Sequence, residues 1–301
     1  MDLFQTVSGF AVRRLKRERV LALRNAYHAI RGKMHPVLRA AYGTFDSAAL
    51  QEHLEDRIGR DFEILMVHSS VNNMKPMFTE GPLDVLRMLM RFCGPERTLV
   101  MPAFYFGDPD LGGAQGTFRK TGRFDVRKTP SQMGLVTELF RRSKGVVQSR
   151  HPIYRMAALG PLAEALTKGH EIAGTPAGRG TPFDFMARHD TWIIGIGKPF
   201  EVLTQVHHAE DVLGDAFPVP RSKGRPLDMT LVDGNEEIPF TLAGGGFEWR
   251  RDMWQLRKIM DPQMLREWRF HHVPLFATKA ADVTRTLTDA AERGVTIYRP
   301  S

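Results

Sequence analysis

Three short apolar runs limit what this chain can fold into more than any other feature: FEILMVHSS at 62–70, TLVMPAF at 98–104 and TWIIGIG at 191–197. Each is apolar at consecutive rather than alternate positions and closes on small or polar residues, as strands buried on both faces of a parallel sheet do. A helical pattern over 81–92 separates the first two, and strand, helix, strand at that spacing predicts an α/β body. A helix over 47–58 leads into the first run. In TPSQMGLVTELF (129–140), Thr129 reads as a helix cap, Pro130 as the first helical position, and Met133, Val136 and Phe140 as one face. Helices over 161–168 and 279–293, the second ended by Gly294, a hairpin over 229–242 turning at Asp233-Gly234, and a short strand VTIY complete the pattern. Residues 105–128 read as a long irregular loop, the kind that carries function.

The composition, 42% hydrophobic and 25% charged over 301 residues, is that of a globular protein with ample material for a core. A single cysteine, Cys93, excludes an internal disulfide framework and points to a reducing compartment; with Leu83, Leu86 and Met90 on one helical stripe, it reads as a buried structural thiol. No run of about 18 apolar residues and no secretory signal pattern is present, so the expected address is the cytoplasm.

Residues 1–43 hold nine Lys or Arg against Asp2 and Glu18, so nearly all of the formal net charge of +8 sits there. Val20, Leu23, Tyr27 and Ile30 recur at steps of three and four beside an arginine-rich face, which predicts a basic helical extension over 1–58, interrupted at His35-Pro36 and Gly43. Three uses compete for it: packing on the body or on a sister subunit of a homo-oligomer, contact peripheral to an anionic membrane, and, last, binding nucleic acid or serving as a transit peptide.

LTQVHHAED (203–211) sets two histidines three residues ahead of two carboxylates. On a helix His207 lies over Glu210 and His208 over Asp211, and each pair suits a base with its orienting acid, two metal ligands or a salt bridge. The stretch directly follows the TWIIGIG strand, and ligands of open α/β sheets gather beyond the carboxyl ends of strands. Gly195 and Gly197 are followed by Phe200 where a dinucleotide fingerprint needs glycine, and GxxxxGK[ST], G-x-S-x-G and H-E-x-x-H are absent. Adjacent histidines project differently and no further His/Cys cluster has ligand spacing, so no metal is expected.

An ordered series of islands, LMVHSSV, GPERTLVMPAF, FDVRKTPSQMG, QSRHP, AALGPLAEAL, TPFDFM, WIIGIG and TQVHHAED, resembles the aminoglycoside 3-N-acetyltransferase family, distinct from the Gcn5-related acetyltransferases, over about residues 62–218. The resemblance implies one large mixed-sheet α/β acetyltransferase domain over 59–301 and acetyl-CoA as cosubstrate. It also implies an amino-sugar acceptor, either an aminoglycoside, as in antibiotic resistance, or a nucleotide-linked amino sugar. The family's Thr-x-x-His-x-Ala-Glu hallmark falls on Thr204, His207, Ala209 and Glu210. It selects His207 as general base and Glu210 as its orienting acid, leaving His208 and Asp211 as a partly solvated pair. A histidine with an ordinary pKa near ~6.5 can take a proton from an amine, and a carboxylate at i+3 can hold its tautomer, so direct transfer needs no covalent intermediate.

Coenzyme A contacts are expected from Ser69, Ser70 and Val71 at the first strand's end and from Thr129 and Ser131, whose alternative is plain capping. Acceptor contacts are expected from Tyr105, Asp108, Asp125 and His151, the last of which otherwise only sets a turn. Tyr154 and Arg155 stand where the family has small polar residues, and Thr181-Pro182 replaces Ser-Pro. Arg119, Lys120, Arg123, Arg127 and Lys128 crowd one loop. Aminoglycosides are polycations, so a basic wall suits an anionic acceptor or the phosphates of coenzyme A better. Trp249, Arg250 and Trp254 in the C-terminal third either shape the acceptor pocket or pack. A non-catalytic scaffold using its basic arm on membrane or nucleic acid is the rival.

Overall fold

The structure, a computed structural model, describes residues 34–300, so the apolar stripe from Val20 to Ile30 and its expected contacts lie outside the described residues. The described chain begins with a helix at His35–Tyr42. Pro36 occupies its first turn, where the missing N–H has no helical partner to lose, so His35-Pro36 opens this helix. The next helix, Ser47–Ile58, starts where the Asp46 carboxylate accepts the Ala49 N–H, and it buries Leu50, Leu54 and Ile58. The body therefore includes residues that the sequence pattern assigns to the extension.

The strands are β1 (Ile64–Ser69), β2 (Thr98–Pro102), β3 (Arg123–Asp125), β4 (Val147–Gln148), β5 (Met156–Leu159), β6 (Thr191–Ile196), β7 (Arg221–Asp233), β8 (Glu236–Phe247), β9 (Arg250–Arg251), β10 (Arg266–Phe270), β11 (Val273–Lys279) and β12 (Tyr298–Arg299). Seven form a mixed sheet in the order β10-β11-β6-β1-β2-β5-β4. The three apolar runs are its parallel centre, β6-β1-β2, and antiparallel strands extend it on both sides.

Consecutive apolar residues are needed because alternate side chains enter different cores. Leu65, Val67, Leu99, Met101, Ile194 and Ile196 face the helices Ser47–Ile58, Pro82–Cys93 and Leu135–Arg141. Ile64, Met66, Val100 and Ile193 face the helices Pro182–Arg188, Val206–Leu213 and Ala280–Glu292. The result is a three-layer mixed α/β domain whose parallel strands all end on one side. Cys93 is buried, and burial pushes its thiol up to about 12, although Leu83 on the expected stripe is exposed.

A second sheet, β3-β7-β8, has its own core of Phe118, Phe124, Val126, Met229, Leu231 and Leu242. Its hairpin is much longer than the apolar pattern implies, because the outer halves of both strands are polar or glycine and leave no alternation to read. Gly245 lies at φ +89 with its missing Cβ 2.0 Å from the Ser222 carbonyl oxygen, so only glycine lets the two backbones meet there.

Two expectations need correction. Residues 105–128 are not one loop but contain the helix Gly113–Thr121 and β3; the helix carries Gly113 and Gly116 and is capped by Gly112 and Gly122, which hid its pattern. The helix expected from Thr129 starts only at Leu135. Gly134 at φ +118 breaks the continuity, and Ser131 Oγ accepts the Met133 N–H in a local turn instead of capping a helix.

Candidate active site

The helix Val206–Leu213 leaves the sheet just beyond β6, with Val206 and Ala209 in the core. That anchoring sets His207 and Glu210 on its other face, where His207 Nδ1 lies 3.1 Å from Glu210 Oε2. The carboxylate is 4% exposed and fully engaged. Its Oε1 accepts from Arg251 Nε at 3.1 Å and from the Tyr298 hydroxyl at 2.8 Å, and its Oε2 accepts from Arg251 Nη2 at 2.7 Å. Arg251 and Tyr298 are directly opposite each other in the β9-β12 pair, which aims both at the same carboxylate. Burial pushes the Glu210 carboxyl up, but His207, Arg251 and Tyr298 together outweigh it and hold the group below its ordinary value.

Arg251 Nη2 also lies 3.2 Å from His207 Nδ1, which poses the question of where the imidazole proton sits. Nη2 has two hydrogens, and Glu210 and the Tyr298 oxygen accept both. With both hydrogens taken, His207 Nδ1 is left to donate to Glu210, the tautomer that puts the lone pair on Nε2.

The neighbouring pair is not the solvated couple the sequence suggested. His208 is 2% exposed, and its Nδ1 meets the Ala177 carbonyl oxygen at 2.6 Å. Asp211 accepts the Ala177 N–H at 2.9 Å and Arg221 Nη2 at 3.0 Å. Both residues clamp the loop before Thr181 rather than each other.

Two cavities meet at His207 and Arg251. One, of about 360 Å³, lies beyond β1 and β2 and is lined by His68, Ser69, Phe104, Met133, Lys198 and Thr204 among others. Four buried polar atoms of its lining residues have no hydrogen-bond partner among the described residues: both ring nitrogens of His68, Glu201 Oε2 and Thr204 Oγ1. Burial, and next the Lys198 charge, push His68 down to about 3, while burial raises Glu201 and lowers Lys198. The other, of about 530 Å³, lies between the β7-β8 hairpin and residues 151–154 and 173–176, with Tyr154, Phe240, Phe247 and Trp249 as aromatic walls.

Of the residues expected to catalyse or to touch coenzyme A or the acceptor, His207, Glu210, Thr204, Ser69 and His151 line one cavity or the other. The rest do not. Ser70 gives its N–H to Ile196, Val71 is buried in the core, Thr129 offers its carbonyl oxygen to Arg155, and Ser131 gives its N–H to Glu138. Tyr105 packs on Phe118, Asp108 accepts the Asp110 N–H, and Asp125 accepts from Arg127 and Lys128. The basic loop does not wall the site either: Arg123 pairs with Glu237 and Arg127 with Asp233. Arg155 is fully buried and donates to the carbonyl oxygens of Ala103, Val126 and Thr129. Trp249 does line the larger cavity, whereas Trp254 packs on Phe200. Arg251, not Arg250, is the arginine that reaches Glu210 and lines both cavities; a Trp/Arg-rich stretch is the only sequence signal for it.

The family model for aminoglycoside 3-N-acetyltransferases matches residues 66–292. An aminoglycoside N(3)-acetyltransferase III of Acinetobacter baumannii is 30% identical over 189 residues, 60% of this chain and 64% of that protein. The chain thus matches a little under two thirds of that relative's length. A type VII enzyme of Streptomyces paromomycinus is 41% identical over 118 residues, 39% of this chain and 36% of that one. The fold matches the structure titled AAC-IIIb binary with CoASH at TM-score 0.67 and 19% identity, covering 85% of this chain and all of that one. It also matches AAC-VIa bound to sisomicin at TM-score 0.67 and 20% identity, covering 84% and 99%.

Proposed function

Because the chain belongs to the aminoglycoside 3-N-acetyltransferase family, we propose that it moves an acetyl group from acetyl-CoA directly to the amine of an amino sugar, with His207 as general base and Glu210 as its orienting acid. The observation that carries this is that His207 borders both cavities, so one imidazole can reach a donor in the smaller and an acceptor in the larger.

The smaller cavity suits the pantetheine arm of acetyl-CoA. That arm is apolar along its length but carries amide and hydroxyl groups, and uncommitted polar atoms on His68, Glu201 and Thr204 are a fit for them, since a buried polar group left unpaired costs about 1–3 kcal/mol. Lys198, half-buried in the same wall, suits a phosphate. In the larger cavity the aromatic walls suit the faces of a sugar ring.

Reaction begins when the amine nitrogen attacks the thioester carbonyl carbon and His207 Nε2 takes the proton it sheds. Glu210 stabilises the imidazolium without taking its proton, as a buried carboxylate held low by Arg251 and Tyr298 is equipped to do. The carbon–sulfur bond then breaks, the imidazolium returns the proton to sulfur, and an amide and the coenzyme A thiol leave. The relatives are named for aminoglycosides as their own acceptors, and the acceptor class proposed for this chain is the broader one of amino sugars.

The test is release of coenzyme A thiol from acetyl-CoA in the presence of aminoglycosides and simpler amino sugars. Acceptor-dependent release supports the proposal. A protein that binds acetyl-CoA yet releases none with any amine overturns it in favour of a scaffold.

A further inference from the structure

The larger cavity is lined by two carboxylates, and each is already paired with an arginine. Glu210 is saturated by Arg251, Tyr298 and His207. Asp211 spends Oδ2 on the Ala177 N–H and Oδ1 on Arg221. What the walls still offer is hydrogen-bond donors. Arg221 uses only Nη2, for Asp211 and the Glu210 carbonyl oxygen, and it lies 4.4 Å over the Phe247 ring, leaving Nε and Nη1 without a hydrogen bond among the described residues. Arg251 likewise keeps Nη1 uncommitted among them.

His151 adds a third donor. Its Nδ1 accepts the backbone N–H groups of Ile153 at 3.2 Å and Tyr154 at 2.9 Å, which fixes the proton on Nε2. The ring is 4% exposed and stacked on His170 with centroids 4.7 Å apart, and Nε2 has no partner among the described residues. Burial, then the neighbouring His170, keep it neutral by pulling it well below 6.5. The cavity thus has two arginines, two neutralised acids and a fixed N–H donor. An aminoglycoside would bring several ammonium groups to a wall with no free carboxylate, and each would lose water without gaining a counter-charge.

We propose that the acceptor is an amino sugar carrying an anionic group, a phosphate or a carboxylate, which Arg221, Arg251 Nη1 and His151 Nε2 hold while its amine faces His207. This rests on the acetyl-transfer proposal and narrows its acceptor. Guanidinium suits either anion because its edge donates two parallel hydrogen bonds to two oxygens.

The test uses acceptors that share one amine: 2-amino-2-deoxyglucose, its 6-phosphate and its 6-carboxylate, with kanamycin as the polycation. Thiol release is expected to give the anionic sugars a kcat/KM at least about tenfold above the neutral one, the scale of one charge-assisted hydrogen bond. The phosphate and carboxylate arms tell the two sources apart. In Arg221→Gln that ratio is expected to collapse toward one, and in Arg221→Lys to be partly kept; because each ratio is taken within one variant, lost folding cannot mimic the result. Equal kcat/KM for neutral and anionic sugars, or a preference for kanamycin, overturns the inference. If no acceptor is turned over, the transfer proposal fails on its own, and calorimetric binding of the neutral sugar and its phosphate decides: tighter phosphate binding supports the anion site and equal binding overturns it.

Discussion

Glu210→Gln separates the two jobs given to this carboxylate, holding a tautomer and holding an arginine. An amide keeps one acceptor oxygen for Arg251 Nε and the Tyr298 hydroxyl, but its NH2 replaces the oxygen that now faces His207 Nδ1 and Arg251 Nη2. Donor then meets donor. The imidazole relieves the clash by moving its proton to Nε2, which points at the acceptor and can no longer take a proton from it. The turnover number is therefore expected to fall roughly 10²–10⁴-fold, the worth of a positioned base. Breaking a buried ion pair costs about 3–5 kcal/mol. Glu210 is 4% exposed but Arg251 31%, and water reaching the guanidinium reduces the cost to about 2–3 kcal/mol. Urea unfolding measures the second effect, and thiol release at saturating acetyl-CoA, far below the variant's unfolding midpoint, measures the first. A folded variant that keeps more than about a tenth of wild-type turnover refutes the tautomer argument.

Three further outcomes are expected. His68 is held down at about 3, so below its unfolded value the unfolded chain takes up a proton that the folded chain refuses, and stability falls as pH drops from ~6.5 toward 3. That histidine alone removes about 2 kcal/mol by pH 5, so His68→Leu is expected to shrink the difference between urea midpoints at pH 7 and pH 5, and an unchanged difference refutes it. Lys198→Ala is expected to raise the KM for acetyl-CoA about tenfold with little change in kcat, as loss of one charged contact to a phosphate does; an unmoved KM removes Lys198 from the binding site. Gly245→Ala forces a Cβ against the Ser222 carbonyl at positive φ and is expected to lower stability by about 2 kcal/mol or more, read from thermal unfolding, whereas wild-type stability contradicts the close approach.

The legible parts of the molecule were those whose partners are near in sequence or whose burial is two-sided. His207 and Glu210 are three apart on one helix, so their meeting could be read directly, and the parallel strands announced themselves by being apolar at every position. Arg251 and Tyr298 stand 41 and 88 residues from Glu210, on strands two residues long, and no local pattern marks them. The basic loop misled for a related reason. Formal charge counts arginines without revealing that Arg123 and Arg127 are paired with Glu237 and Asp233, more than a hundred residues away. His208 and Asp211 share a helix face, yet the loop at Ala177 claims both, and that packing is a tertiary fact.

The most direct measurement is thiol release from acetyl-CoA by His207→Ala beside the wild type, with acetyl-CoA binding to both measured by calorimetry. Binding within about threefold of wild type together with a 10²–10⁴-fold loss of kcat is the result expected if the imidazole moves the proton between the two cavities. Turnover near the wild-type rate with intact binding would contradict the account, because the side chain common to both cavities would then have no part in the chemistry.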